Sequence, residues 1–499
     1  MDVTNRTAVE DRLLSTGIAG LDDVLGGGLT ANRLYLAEGT PGAGKTTIAL
    51  QFLMEGARLG ESVLYVTLSE TSDELRGVAQ SHGWNLDGVR VREMLPPQES
   101  LRPDEQYTMF HPSEVELSET TLRILEDVGE FKPTRVVLDS LSELRLLSGT
   151  SLRYRRQILA LKQFFAGRQC TVMLLDDMTA AEHDLQVQSI AHAVLRLEQQ
   201  HSDYGAVRRR LIVVKYRGQG YRGGYHDFKI LRGGLKVFPR LIASEHFADV
   251  MQTRLPSGLE PLDKLLGGGI EKGTSTLIVG PPGTGKSTVA VQFAIAAARR
   301  GERTAMYIFD ESANTLRTRC AGMGMDIGPW IDSGHITIRP IDPAELSPGE
   351  LVHDIRSAVV DNDARIVVVD SLNGYLNAMP DERFLIVQLH ELLTYLGQAG
   401  VATIMIAGQI GLIGAQMKSA VDASYLADAV VLMRYFEADG EVQQAISVLK
   451  KRGGAHERTI RAFTMNTDGV RIGEPLRHFR GILTGSPIPT SEDSPKRAP

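Results

Sequence analysis

Short apolar runs alternate with longer helical patterns along this chain. LYLAEG (34–39) and TLIVG (276–280) are predominantly apolar runs, which predicts strands buried on both faces of a sheet. The segments TIALQFLMEGARLG (47–60) and TVAVQFAIAAARRG (288–301) have the length of helices and end at glycine. Strands that alternate with helices predict an α/β fold with a mostly parallel sheet.

The same order of elements occurs twice. STGIAGLDDVLGGGL (15–29) matches LPSGLEPLDKLLGGGI (255–270), and each copy precedes one of the two apolar runs. Each half closes with a section that resembles antiparallel strands. We therefore predict a first domain at 1–245, a second domain at 246–485 and a short, Pro/Ser-rich, disordered tail at 486–499.

Between each strand and its helix lies a loop that fits the pattern G-x-x-x-x-G-K-[ST]. Glycines let the backbone approach an anion, and the loop N–H groups and the positive helix end favour phosphate. Two such loops in matching context predict two nucleotide-binding sites, each with a lysine directed at the β- and γ-phosphates. The predicted nucleotide-binding residues are Gly39, Thr40, Pro41, Gly42, Ala43, Gly44, Lys45, Thr46 and Thr47 in the first loop and Gly280, Pro281, Pro282, Gly283, Thr284, Gly285, Lys286, Ser287 and Thr288 in the second.

A magnesium site is predicted beside each loop. Thr46 and Ser287 follow the loop lysines, where a hydroxyl can bind the Mg²⁺ that accompanies a nucleotide. Asp139 and Asp370 each end a later apolar run. An acid at the end of a strand next to a phosphate loop can hold Mg²⁺ or one of its waters, so these four residues are the predicted metal ligands.

A second acidic position ends the next apolar strand after each loop. Glu70 occupies it in the first half and Glu311 in the second, where Asp310 precedes it and the first half has Ser69 instead. Acids there can orient or deprotonate an attacking water or hydroxyl. Glu70, Asp310 and Glu311 are therefore the predicted catalytic residues; helix-capping acids are the alternative interpretation.

Composition narrows the function classes. The 499 residues carry a net charge of −7, which gives no general electrostatic case for nucleic acid or an acidic membrane. Cys170 and Cys320 stand alone and far apart, as expected of small buried residues in a reducing compartment. Without an apolar signal-peptide core or a membrane-length apolar run, we expect a cytoplasmic protein.

These features resemble the KaiC family of double-domain, RecA-like ATPases. The resemblance covers about residues 12–488 and includes two basic strands, VVKYRG (213–218) and VLKKRGG (448–454). It implies ATP and Mg²⁺ as cofactors and a hexameric double ring. It also implies that Lys215, Arg217, Lys450 and Arg452 reach a neighbouring subunit's nucleotide. A solvated basic strand face is the alternative for these four.

The resemblance also implies a phosphorylation site. The family's adjacent acceptor hydroxyls correspond to Ser424 and Tyr425, and the tyrosine replaces a threonine. Its hydroxyl lies further from the backbone, so Ser424 is the better predicted acceptor. Asp310 and Ser69 stand where the family pattern has glutamate. Because few residues follow the segment 476–489, a KaiA-type activator is not expected, whereas a KaiB-type partner is compatible with the chain.

Three functions compete. The favoured hypothesis is a KaiC-like ATPase and serine/threonine autokinase that acts as a clock-like or signalling hub. A scaffold that hydrolyses ATP without phosphorylating itself is compatible with the departures at Tyr425 and Asp310. A RecA- or DnaB-type DNA motor shares the fold, so the fold alone cannot exclude it. The negative net charge of the chain and the lack of an evident DNA-binding module argue against such a motor.

Overall fold

The computed structural model describes residues 12–94, 112–178, 186–201, 204–245, 253–377, 385–410, 418–419, 424–438, 440–484 and 487–489. Residue 486 and residues 490–499 of the predicted tail therefore lie outside the described residues. The chain forms two compact units that meet in sequence between Arg240 and Leu241. No helix in the described part of the chain is long and apolar enough to cross a membrane.

The first unit is a sheet with helices on both faces. Its strands are β1 (Leu13–Leu14), β2 (Leu29–Thr30), β3 (Leu34–Gly39), β4 (Val63–Thr67), β5 (Arg90–Glu93), β6 (Arg135–Asp139), β7 (Thr171–Asp177), β8 (Ala193–Gln200), β9 (Arg208–Tyr216), β10 (Tyr225–Leu231) and β11 (Gly234–Phe238). Its helices are α1 (Ala19–Val24), α2 (Lys45–Arg58), α3 (Ser72–Ser81), α4 (Pro112–Phe131), α5 (Leu141–Ser148), α6 (Ser151–Ala166) and α7 (Gln186–Ile190). The sheet order is β5-β4-β6-β7-β3-β8-β9-β10-β11, parallel through β8 and antiparallel beyond it.

The second unit repeats this plan. Its strands are β12 (Arg254–Leu255), β13 (Ile270–Glu271), β14 (Ser275–Gly280), β15 (Arg303–Ile308), β16 (Ile336–Pro340), β17 (Ala364–Asp370), β18 (Ala402–Ile410), β19 (Lys418–Ser419), β20 (Ala429–Ala438), β21 (Glu441–Lys451), β22 (Arg461–Asn466), β23 (Gly469–Pro475), β24 (Phe479–Arg480) and β25 (Ile488–Pro489). Its helices are α8 (Glu260–Leu265), α9 (Lys286–Arg299), α10 (Ala313–Gly322), α11 (Gly328–Asp332), α12 (Pro348–Val360), α13 (Leu372–Asn377) and α14 (Leu385–Gln398). The order β16-β15-β17-β18-β14-β20-β21-β22-β23 matches the first sheet strand for strand.

The central strands are apolar because both of their faces are covered. In β3, Tyr35 and Ala37 join the core on one side of the sheet, and Leu34 and Leu36 join the core on the other. Alternate residues of a strand point to opposite faces, so a strand buried on both sides has few polar positions. The structure confirms the predicted fold class: two tandem RecA-like domains, each a mostly parallel sheet flanked by helices.

The strands of the first sheet end at two opposite edges of the sheet. Parallel strands all finish at one edge, where Gly39 of β3 lies beside Asp177 of β7 and Leu197 of β8. The antiparallel strand β9 runs back from there and ends beside Ala193, where β8 begins. Residues at the end of β9 are therefore carried to the edge opposite the first phosphate loop.

Candidate functional site

Each phosphate loop joins a buried strand to the first turn of a helix: β3 leads into α2, and β14 into α9. Gly44 and Gly285 precede the helices with φ values of 106° and 94°, a left-handed conformation that glycine adopts without strain. At Gly285 a Cβ atom would also lie 2.6 Å from the sulfur of Met465. The sequence therefore needs glycine here, and the loop N–H groups and helix N-terminus form an anion-binding site.

The predicted loop residues divide by exposure. Exposed are Thr40, Pro41, Gly42, Pro282 and Gly283; half-buried are Gly44, Thr46, Gly285 and Ser287; buried are Gly39, Ala43, Lys45, Thr47, Gly280, Pro281, Thr284, Lys286 and Thr288. Both lysines fold back over their own loops. Lys45 Nζ donates to the carbonyls of Gly39 at 2.9 Å and Thr40 at 3.0 Å. Lys286 Nζ donates to the carbonyl of Pro281 at 2.7 Å.

The hydroxyl and carboxylate predicted for Mg²⁺ meet in both units. Thr46 hydrogen-bonds to Asp139, which also accepts from the hydroxyl of Tyr65. Ser287 hydrogen-bonds to Asp370 in the same way. Burial raises the pKa of Asp139, and burial together with nearby negative charge raises the pKa of Asp370 to about 6. Oxygen ligands that crowd together with excess negative charge suit a hard divalent cation.

Glu70 lies beside the first loop but after the end of its strand. β4 ends at Thr67, whose hydroxyl accepts from the backbone N–H of Glu70 at 2.8 Å and turns the chain. One carboxylate oxygen of Glu70 is buried without a hydrogen-bond partner. Burial, and next the charge of Asp139, raises the pKa of Glu70, while Lys45 acts in the opposite direction. A carboxylate with a raised pKa and a spare oxygen is suited to accept a proton.

The second site is an open cleft of about 880 Å³. Its walls include the second phosphate loop, Asp310, Glu311 and Asp370, so the structure brings the predicted residues together. Burial lowers the pKa of Lys286, against the effect of Asp370 and Asp310. The sequence interpretation missed Arg319, which lines the same cleft and pairs with Glu311 at 2.7 Å.

Asp177 is a site residue that the sequence interpretation also missed. It ends β7 beside Gly39, and its carboxylate lies 2.7 Å from Lys45 Nζ. At the corresponding place in the second sheet, Gly280 lies beside Gly408, which has no side chain. The sequence does show that this apolar strand ends in an acid, as the strand ending at Asp139 does. It does not show that this strand pairs with β3.

The basic pair of the first unit lies away from its own phosphate loop. Arg217 donates its backbone N–H to His192, which in turn donates to the carbonyl of Leu34. Leu34 precedes Gly39 by five residues along β3, which corresponds to roughly 16 Å at about 3.3 Å per residue. Lys215 pairs with Val194, near the same end of the sheet. The structure therefore does not bring this pair to the nucleotide site of its own unit.

The second unit has the same separation. Arg452 donates its backbone N–H to Asp428, and Asp428 donates to Ser275, where β14 begins. Gly280 and the phosphate loop follow at the far end of that strand. Lys450 pairs with Val430 at the beginning of β20. Both basic pairs thus occupy equivalent positions on the edge opposite their loops.

The predicted acceptors lie against the second basic pair. Lys450 Nζ donates to the carbonyls of Ser424 at 2.9 Å and Ala427 at 2.8 Å. Arg452 Nη2 donates to the carbonyl of Tyr425 at 3.0 Å, and the Tyr425 side chain is 55% exposed. The acceptor turn and the basic pair therefore form one surface, on the edge away from the second phosphate loop.

Comparisons with known proteins agree with this architecture. The model of the KaiC ATPase family matches residues 14–242 and again 255–477. The circadian clock protein KaiC3 of Synechocystis sp. (strain ATCC 27184 / PCC 6803 / Kazusa) is 28% identical over 496 residues, which cover 97% of this chain and 96% of that protein. The circadian clock oscillator protein KaiC of Thermosynechococcus vestitus is 27% identical over 497 residues, 98% of this chain and 94% of its own. The duplicated sheets, the two phosphate loops and the matches to both halves show that this chain belongs to the KaiC family of ATPases.

Proposed function

We propose that this chain is a two-site ATPase whose second domain also transfers phosphate from ATP to a hydroxyl of a neighbouring copy. The first domain, 1–245, hydrolyses ATP, and the second, 246–485, is the serine/threonine autokinase. ATP is bound by the two phosphate loops. When Mg²⁺ is bound, it supplies positive charge to the β- and γ-phosphates; the residues available to hold it are Thr46 and Asp139 in one site and Ser287 and Asp370 in the other.

In the first site Glu70 is the proposed base. It takes a proton from water as the water oxygen forms a bond to the γ-phosphorus and the bond from that phosphorus to the ADP oxygen breaks. Its raised pKa and spare buried oxygen support this role. Lys45 neutralises charge on the phosphates, and ADP and inorganic phosphate are the products.

In the second site the proposed nucleophile is a hydroxyl instead of water. Asp310 or Glu311 accepts the hydroxyl proton, the hydroxyl oxygen bonds to the γ-phosphorus, and ADP leaves. Ser424 is the proposed acceptor, because the longer Tyr425 side chain would present its oxygen at a different distance from the γ-phosphate. A phosphate on that turn would lie beside Lys450 and Arg452 and would change the charge of the surface they form.

One observation carries the proposal that a second copy is needed. Each unit holds its phosphate loop and acids at one edge of its sheet and its basic pair at the other, and the acceptors share the latter edge. The basic pair and the acceptor hydroxyls of a domain therefore cannot reach the nucleotide bound in that same domain. A closed ring of identical chains solves this for every site at once, because each interface joins opposite faces of neighbouring subunits. We propose a homo-hexameric double ring.

The experiment is a complementation test with two co-expressed variants. One carries Ser424→Ala and Tyr425→Phe with intact loops, and the other carries Lys286→Ala with intact acceptors. After incubation with Mg·ATP, peptide mass analysis should find phosphate on the acceptors of the Lys286→Ala chain only in the co-expressed sample. Phosphorylation of the unmodified protein, without any such complementation, would contradict transfer between copies.

A scaffold function is the second candidate. Tyr425 and Asp310 depart from the family's acceptor and base residues, which favours an ATPase that does not phosphorylate itself. In that case the unmodified protein would form ADP from ATP but remain unphosphorylated at Ser424 and Tyr425. In either case we propose a clock-like or signalling hub in the cytoplasm, by analogy with relatives named as circadian clock proteins. The family resemblance makes a KaiB-type protein a candidate partner.

A further inference from the structure

Arg319 distinguishes the second site from the first. Its guanidinium bridges two residues of the second site: Nη2 lies 2.7 Å from the carboxylate of Glu311, and Nη1 donates to the hydroxyl of Thr288 at 3.1 Å. Arg319 lies in α10, eight residues after Glu311. Thr288 lies in the first turn of α9, at the end of the phosphate-loop motif, so Arg319 ties the acid to the segment proposed to bind the nucleotide.

Among the residues that the structure describes, the first site has no counterpart to this bridge. Helices α3 and α10 are both ten residues long and occupy the same place after the second strand of each repeat. Counting along them places Val78 where the second unit has Arg319. Glu70 accordingly keeps a buried carboxylate oxygen without a hydrogen-bond partner, whereas Glu311 is held in an ion pair whose side chains are 22% and 34% exposed.

We infer that Arg319 is a positioning residue that restrains Glu311 and so suppresses its action as a base in the second site. The inference rests on the proposed ATPase function of that site. A carboxylate held by a charge-assisted hydrogen bond to a guanidinium is fixed in place, and it must give up that bond before it can turn toward a nucleophile. Asp310, in the wall of the same cleft, is then the carboxylate that remains to activate a nucleophile.

The test uses Lys45→Ala as the parent, so that turnover reports on the second site. Arg319→Val gives that site the residue of the first. We expect its kcat for ADP formation to rise about tenfold, as expected when a charge-assisted hydrogen bond to the base is lost. Adding Glu311→Gln should abolish the gain, because the gain depends on the released carboxylate. Arg319→Lys, which keeps the charge but cannot bridge both partners, should fall between.

A matched control and a binding measurement complete the experiment. Arg317→Val removes an arginine from the same helix that does not line the cleft, and it should leave kcat unchanged. The affinity of the second site for a fluorescent ADP analogue with Mg²⁺ should change by less than about threefold in Arg319→Val, since Arg319 acts through Glu311. A tenfold loss of affinity would mean that Arg319 binds the nucleotide itself, and that would overturn the inference.

The outcomes separate this inference from the proposed function. If kcat of Arg319→Val does not rise, or if the rise persists with Glu311→Gln, the restraint is refuted. If the Lys45→Ala parent is silent but its Arg319→Val derivative forms ADP, the restraint is supported and the proposed native activity of the second site fails. If both proteins are silent, both the restraint and that activity are rejected.

Discussion

The ion pair between Lys45 and Asp177 predicts that Asp177 weakens nucleotide binding at the first site. The ammonium that would bind the phosphates lies 2.7 Å from the Asp177 carboxylate, and the two side chains are 7% and 29% exposed. Phosphate and carboxylate therefore compete for one buried cation. In the second sheet Gly408 takes the position that corresponds to Asp177, so no carboxylate is present at that position to pair with Lys286.

The magnitude follows from the contact that must be replaced. A hydrogen bond to a charged group contributes about 1.5–3 kcal/mol, and each 1.4 kcal/mol corresponds to about tenfold in affinity. Asp177→Asn keeps the shape of the side chain and removes its charge. We expect it to strengthen binding of Mg·ADP to the first site by about ten- to a hundredfold, and Asp177→Gly to have an effect of similar size.

The assay is calorimetric or fluorescence titration in a Lys286→Ala background, which leaves the first loop as the binding site. Asp73→Asn is the matched control, since it makes the same charge change at a side chain that is 93% exposed on α3. It should leave the affinity unchanged. If Asp177→Asn weakens binding, then the carboxylate holds Mg²⁺ or positions Lys45 productively, and the competition argument is refuted.

Two further predictions concern the stability of the first unit. Its unfolding in urea can be followed by the fluorescence of Trp84 in a protein in which Trp330 is replaced by phenylalanine. Burial lowers the pKa of His226 to about 4, below the value of about 6.5 in an unfolded chain. The contribution of neutral His226 to stability is therefore complete above pH 6.5 and is lost as the pH falls toward 4. The free energy of unfolding should fall by about 2 kcal/mol by pH 5. An equal loss in His226→Gln would exclude this histidine as the cause. Arg135 is fully buried and pairs with Glu61, so Glu61→Gln should lower the free energy of unfolding by about 3 kcal/mol, and a loss below about 1 kcal/mol would contradict that assignment.

Sequence patterns predicted those parts of the site that a single short segment of the chain forms. The phosphate loops follow from glycine spacing between an apolar strand and a helix, and the acids at Asp139 and Asp370 follow from strands that end in a carboxylate. Glu70 was expected at the end of its strand, but Thr67 ends β4 by forming hydrogen bonds with the backbone of Glu70.

The remaining features depend on pairings between distant segments. Asp177 joins the first site only because β7 lies beside β3, and Arg319 joins the second only because α10 lies along the wall of the cleft. The separation of the basic strands from their own loops likewise depends on the register of β9 and β21. None of these pairings leaves a periodic trace in the sequence, so the structure was needed to find them.

The most direct test of the account is ATP turnover in four proteins: the unmodified chain, Lys45→Ala, Lys286→Ala and the double variant. Each lysine lies in its own phosphate loop, so each single variant should keep part of the ADP formation and lose one class of bound nucleotide. The double variant should lose both. Full turnover in the double variant, or none in the unmodified chain, would contradict the claim that these two loops form the ATPase sites.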